Sequence, residues 1–154
     1  MDLITESILT IIDRDLKKLE DEINLYPTEE SLWTTAGAIK NPGGNLCLHL
    51  CGNLQHYIGA VLGGSGYVRN REYEFAARNI SRELLIQEIN KTKTAVRSAL
   101  EKLEPIVLET EYPERVFNYS MTTGYFLVHL AAHLGAFVGL EVLAGPGEHL
   151  RKRL

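Results

Sequence analysis

From Leu3 to Leu25 apolar residues recur every three or four positions, at Ile8, Ile12, Leu16, Leu19 and Ile23, while Asp13, Lys17, Glu20 and Asp21 fall on the other side. That period predicts an amphipathic helix with one face against a core. Tyr26-Pro27 ends it, because the residue before a proline is pushed away from helical backbone. Thr28 to Trp33 predicts a single capped turn that returns Trp33 to the core. Asn41-Pro-Gly-Gly-Asn45 is turn chemistry, with Asn45 the expected N-cap of a second helix running to about Gly63. Gly63-Gly-Ser-Gly66 then breaks the chain. The charged link from Tyr67 to Asn79 is long enough to join two parallel neighbouring helices rather than a tight hairpin. Ser81 is expected to cap a third helix, with Leu85, Ile89, Val96, Leu100 and Leu103 on one stripe. Pro105 to Tyr119 is expected to be irregular or briefly extended, and Thr122 or Thr123 to open a fourth helix that closes at Gly145-Pro-Gly147.

The second and fourth helices are the most apolar and are expected to form the inner pair or to supply a dimer contact, since a helix apolar all round must be covered all round. Against that background the histidines stand out. His129 and His133 lie one turn apart in Phe126-Leu-Val-His-Leu-Ala-Ala-His-Leu-Gly-Ala-Phe137, so both rings emerge from one face. An imidazole buried without a partner costs about as much as a lost hydrogen bond or more, and this spacing is also one by which two helical histidines share a divalent ion. His49 in the second helix is a further candidate, with His56 two turns later. Partly buried histidines hydrogen-bonded in a polar pocket are the alternative.

Composition narrows the partners. The 154 residues, 45% of them hydrophobic, fit a single domain (1–154) with a core that needs no disulfide. A net charge of −4 and a pI near 5.7 leave no basic surface for nucleic acid beyond the short Arg151-Lys-Arg153 tail. No apolar run reaches membrane-spanning length and the amino-terminal residues lack a basic, then apolar, leader pattern, so a cytoplasmic protein without a membrane partner is expected. Cys47 and Cys51 lie on one helical face and are expected as small core residues rather than a disulfide. No nucleophile elbow, phosphate-cradling loop or dinucleotide fingerprint is present.

Several segments taken together resemble the DinB-like proteins over nearly the whole chain. They are His49-Leu50 within Cys-Leu-His-Leu-Cys-Gly-Asn-Leu-Gln-His-Tyr-Ile-Gly, the crossover Arg69 to Phe75, and the repeated His-x-x-x-His spacing of the fourth helix. The resemblance implies an all-α, DinB-like four-helix bundle with a long crossover between helices two and three and up, up, down, down connectivity. It also implies a homodimer, and a divalent ion, nickel or zinc, held by three histidines. The third histidine of the family pattern is here Phe137. Its place would pass to His129, so that the expected metal ligands are His49, His133 and His129, with His56 as the other substitute. Two functions follow from the resemblance. One is a metal-dependent thiol transferase or isomerase acting on a small electrophile with a low-molecular-weight thiol. The other is a non-catalytic bundle with a degenerate metal site, acting as a binding or stress-associated module.

Overall fold

The computed structural model describes residues 1–35 and 41–144, with side chains as far as Val138. The described part is all-α. Five helices are present: α1 (Leu3–Leu25), α2 (Gly43–Leu54), α3 (Arg71–Ala76), α4 (Arg82–Glu101) and α5 (Thr123–Ala144). Short 3-10 turns at Glu30–Trp33 and Pro105–Glu109 join them, and Glu111 forms an isolated bridge with Thr122.

α1 ends where its pattern says it should. Asp2 caps it by accepting from the backbone N–H of Ile4 and Thr5 at 2.9 and 3.1 Å. Its stripe of Ile8, Ile12, Leu16, Leu19 and Ile23 is buried, each side chain contributing roughly 1.5–3 kcal/mol relative to exposure. Trp33 is returned to the core as expected, its indole N–H donating to the Ile80 carbonyl at 3.1 Å. Ser81 caps α4 through the Leu84 N–H at 3.3 Å, and Thr122 caps α5 through the Tyr125 N–H at 3.2 Å. The expected stop at Gly145-Pro-Gly147 and the Arg151–Arg153 tail lie outside the described residues.

The second helix departs from expectation at both ends. Asn45 is not its cap. The helix begins at Gly43 after Pro42, and Asn45 is buried two residues inside it. Both positions need glycine because Tyr26 and Trp33 lean on them: a Cβ on Gly43 would lie 2.7 Å from Tyr26 Cζ, and one on Gly44 2.7 Å from carbons of the Trp33 ring. Asn45, free of capping duty, donates to the carbonyls of Glu74 and Ala77 at 3.0 and 2.9 Å and accepts from Arg78 at 2.9 Å. At its other end α2 widens into a π-turn, Gln55–Ala60, with Val61 N–H bonded to the His56 carbonyl and Gly63 N–H to the Ile58 carbonyl. Gly64 and Gly66 then break the chain at positive φ, where a residue without a Cβ is unstrained.

The pairings between helices set their directions. Glu20 meets Lys93 and Asp13 meets Arg97, so α1 and α4 run antiparallel. Gln55 meets Glu88, and the backbones at Gly59 and Gly63 approach Ala95 and Ala99, so α2 and α4 run parallel, as the long link between them requires. His49 meets His133 while Tyr57 meets Phe126, so α2 and α5 run antiparallel. The resulting order is up, down, down, up rather than the up, up, down, down order implied by the resemblance. Two further expectations change. The crossover is not a bare loop but carries α3, capped by Asn70 accepting from the Tyr73 N–H at 2.9 Å. The inner pair is also unequal: α2 is buried along its whole length, whereas α5 leaves Tyr125, Val128, Ala132 and Ala136 on the surface.

Candidate functional site

The crossover builds one wall of the site. α3 carries Glu74 inward, and its carboxylate is taken by Arg69 through two parallel bonds, from Nε to Oε2 at 2.9 Å and from Nη2 to Oε1 at 2.8 Å. Burial by itself pushes the Glu74 carboxyl up, but the hydrogen bonds from His49 and Arg69 outweigh it and hold the group below its ordinary value. Glu74 fits only because residue 52 is glycine: a Cβ there would sit 2.7 Å from Glu74 Cδ. The charged link thus holds a buried ion pair, Arg69 with Glu74, the two side chains 12% and 4% exposed.

His49 reaches this pair from α2. Its Nδ1 lies 3.2 Å from Glu74 Oε1 and 3.3 Å from Arg69 Nη2. The contact with Glu74 orients the ring, the arrangement by which a carboxylate steers a histidine. From α5, His133 presents its ring edge-on to His49, the centroids 5.7 Å apart. His133 makes no side-chain hydrogen bond among the described residues. Burial, then the fields of His49, His129 and Arg69, lower its pKa to about 4, so the ring is a neutral base at physiological pH. His129 stacks nearly parallel to His133 at 6.3 Å, at 23° between planes, and packs against Phe117 and Phe126. A cavity of about 210 Å³ lies among these three rings, Asn53, Tyr57, Arg69 and Arg71.

The sequence-predicted residues thus divide. His49, His129 and His133 line one cavity, but His56 does not join them: its Nε2 bonds Glu114 at 3.0 Å near the surface and its ring lies against Tyr57. Cys47 and Cys51 are buried and form no disulfide. The cavity residues were fitted against a divalent ion. Two imidazoles on one tetrahedral ion, bound at about 2.0–2.1 Å, place their ring centres about 5 Å apart, which His49 and His133 approach. His129 lies nearly parallel to His133, 6.3 Å away between ring centres, and is packed against Phe117 and Phe126. Phe137 packs 4.6 Å from His133 and 6.2 Å from His49, centroid to centroid, a phenyl where a third donor would be needed. Among the described residues no three His, Cys, Asp or Glu side chains are placed to hold an ion together. The donor set does not fit a three-histidine centre.

Sequence reasoning missed Glu74, Arg69 and Asn53 as parts of the site, whereas Tyr57, a candidate partner of the histidines from the sequence, lines the cavity. The mixed charges from Arg69 to Glu74 predict local ion pairs within the crossover and nothing of the cavity, and the one signal pointing there is Gly52, a glycine inside an apolar helix that leaves room for a neighbouring side chain. The π-turn that carries Tyr57 has no counterpart in residue spacing. Compared with family models, curated proteins and solved structures, the chain matches none. Among the described residues no helix is long and apolar enough to cross a membrane.

Proposed function

We propose that the chain is a DinB-like four-helix bundle whose histidine cavity binds a small molecule without a metal ion. The observation that carries this reading is Phe137, whose ring packs on His133 at 4.6 Å in the place that the resemblance gives to a third imidazole. Nickel and zinc centres that keep an open position ordinarily have three protein donors, and two imidazoles hold such an ion weakly. His49 and His133 then serve as hydrogen-bonding groups, His49 steered by Glu74 and the neutral His133 left free for a guest. The catalytic alternative, a nickel- or zinc-dependent thiol transferase or isomerase acting on a small electrophile, needs His129 to turn edge-on beside His133, against its stacking on Phe126 at 5.9 Å.

Calorimetric titration with zinc chloride tests the reading. The wild-type chain is expected to take up no stoichiometric zinc at micromolar concentration, and Phe137→His to bind one equivalent. One equivalent bound by wild type, or a Phe137→His chain that binds no better than wild type, contradicts it. A homodimer belongs to the same proposal. The exposed stripe of Tyr125, Val128, Ala132 and Ala136 on α5 supports it, because Thr123 to Val138 contains no Asp, Glu, Lys or Arg to oppose a second copy.

A further inference from the structure

The cavity between α2, α5 and the crossover concentrates hydrogen-bonding groups that the protein itself does not use. Asn53 is 9% exposed, its Oδ1 is buried without a partner, and neither end of its amide is hydrogen-bonded among the described residues. The Tyr57 hydroxyl and the rings of His129 and His133 likewise make no side-chain hydrogen bond there. Native proteins leave few buried polar groups unmet, and a cluster facing one cavity marks a place where a guest supplies the partners.

Charge and shape define the guest. The lining contains Arg69 and Arg71, three histidines and no carboxylate, in a protein whose net charge is −4. Arg69 is neutralised by Glu74 just behind the wall. Arg71 is in no ion pair among the described residues; its guanidinium lies 5.9 Å from the Phe75 ring and is exposed. One cation without an ion pair among the described residues therefore stands at the rim, beside the Asn53, Tyr57 and histidine groups. Phe117, Phe126, Val116 and Leu130 supply the apolar part. A volume of about 210 Å³ matches the bulk of about seven waters at ~30 Å³ each and is smaller than the ~300–1,000 Å³ of pockets for drug-sized ligands.

We infer that this cavity is a binding site for a small organic carboxylate with an aromatic or short aliphatic body. The carboxylate accepts from the Asn53 amide N–H and the Tyr57 hydroxyl on the side of Arg71, the body lies against Phe117 and Phe126, and a guest hydroxyl or a water that donates to Asn53 Oδ1 completes the set. This deepens the ion-free reading and rests on it. The test is a titration of the full chain, in buffer containing a chelator, with benzoate and with its neutral isostere benzamide, followed by calorimetry. Saturable one-to-one binding of benzoate is expected, with benzamide weaker by about tenfold, since charge-assisted bonds are roughly twice as strong as neutral ones. Arg71→Gln, at an exposed position that leaves the core intact, is expected to abolish that preference. Absence of saturable benzoate binding both with the chelator and with zinc in its place, equal affinity for both probes, or an undiminished preference in Arg71→Gln overturns the inference. Adding zinc separates the two claims: benzoate binding that appears only with zinc defeats the ion-free reading while supporting the carboxylate site.

Discussion

Replacing Gly52 by alanine isolates the contact on which the site wall depends. In an ordinary helix the change stabilises by about 0.8–1.0 kcal/mol, because glycine gives up more backbone freedom. Here the added methyl would lie 2.7 Å from Glu74 Cδ, against an ordinary contact of about 3.4–4 Å, so the carboxylate must withdraw by about 1 Å. Withdrawal breaks its two bonds with Arg69 and its contact with His49, all at buried side chains. Removing one partner of a buried pair typically costs about 3–5 kcal/mol, because a charge is left uncompensated. Set against the helix gain, the net loss is about 2–4 kcal/mol, or roughly 5–15 °C in Tm for a chain of this length. Urea denaturation would measure it. Gly59→Ala is the control, since a Cβ there meets Ala95 Cβ at 3.2 Å and Ser65 Oγ at 3.4 Å, so that only slight movement is needed. In a Glu74→Ala background the clash is gone, and Gly52→Ala is expected to be neutral or stabilising. A Gly52→Ala chain as stable as wild type would refute the reasoning.

Other predictions address the rest of the account. Asn45→Ala removes the amide that serves two carbonyls and Arg78, and should cost about 2–4 kcal/mol in urea denaturation; a loss under about 0.5 kcal/mol would contradict its role as a buried brace. His133, with its pKa lowered from 6.5 to about 4, stays neutral while the unfolded chain gains a proton as pH falls through 6.5. Stability is therefore complete above the unfolded value and is lost as pH falls from about 6.5 to about 4. The whole shift would correspond to about 3 kcal/mol, and partial solvent exposure reduces this to about 1–2 kcal/mol. His133→Gln should flatten the acid limb of the stability profile by that amount, and parallel profiles would show that the ring titrates normally. Size-exclusion with light scattering at micromolar concentration should give twice the 17.3 kDa chain mass, and Val128→Glu should halve it; a monomeric wild type would remove α5 as an interface.

Much of the fold was legible because it depends on short-range pattern. The apolar stripe of α1 and the caps at Ser81 and Thr122 need only neighbours in sequence, and each appears where periodicity and capping chemistry place it. The failures came from contacts distant along the chain. Asn45 has the composition of a cap, but the helix starts two residues earlier, where Tyr26 and Trp33 pack closely on Gly43 and Gly44, and the amide braces the crossover 29 residues away in sequence. The site was legible in part for the same reason. Helical spacing placed His129 and His133 on one face, and the most apolar helices brought His49 near them. Spacing alone could not show that His129 stacks on its neighbours, or that the charged crossover folds inward so that Glu74 reaches His49. Those facts depend on a glycine at 52 and on a short helix, α3, that is too brief to leave a periodic signal.

The central claim is that His49 and His133 face a shared cavity as hydrogen-bonding groups rather than as ligands of an ion. Imidazole ¹⁵N spectra of the labelled chain, recorded at neutral pH before and after one equivalent of zinc, test it most directly. Unchanged resonances for both rings, with His133 still neutral, are the predicted result. A zinc-induced shift of ring nitrogens in both His49 and His133, saturating at one equivalent, would contradict it.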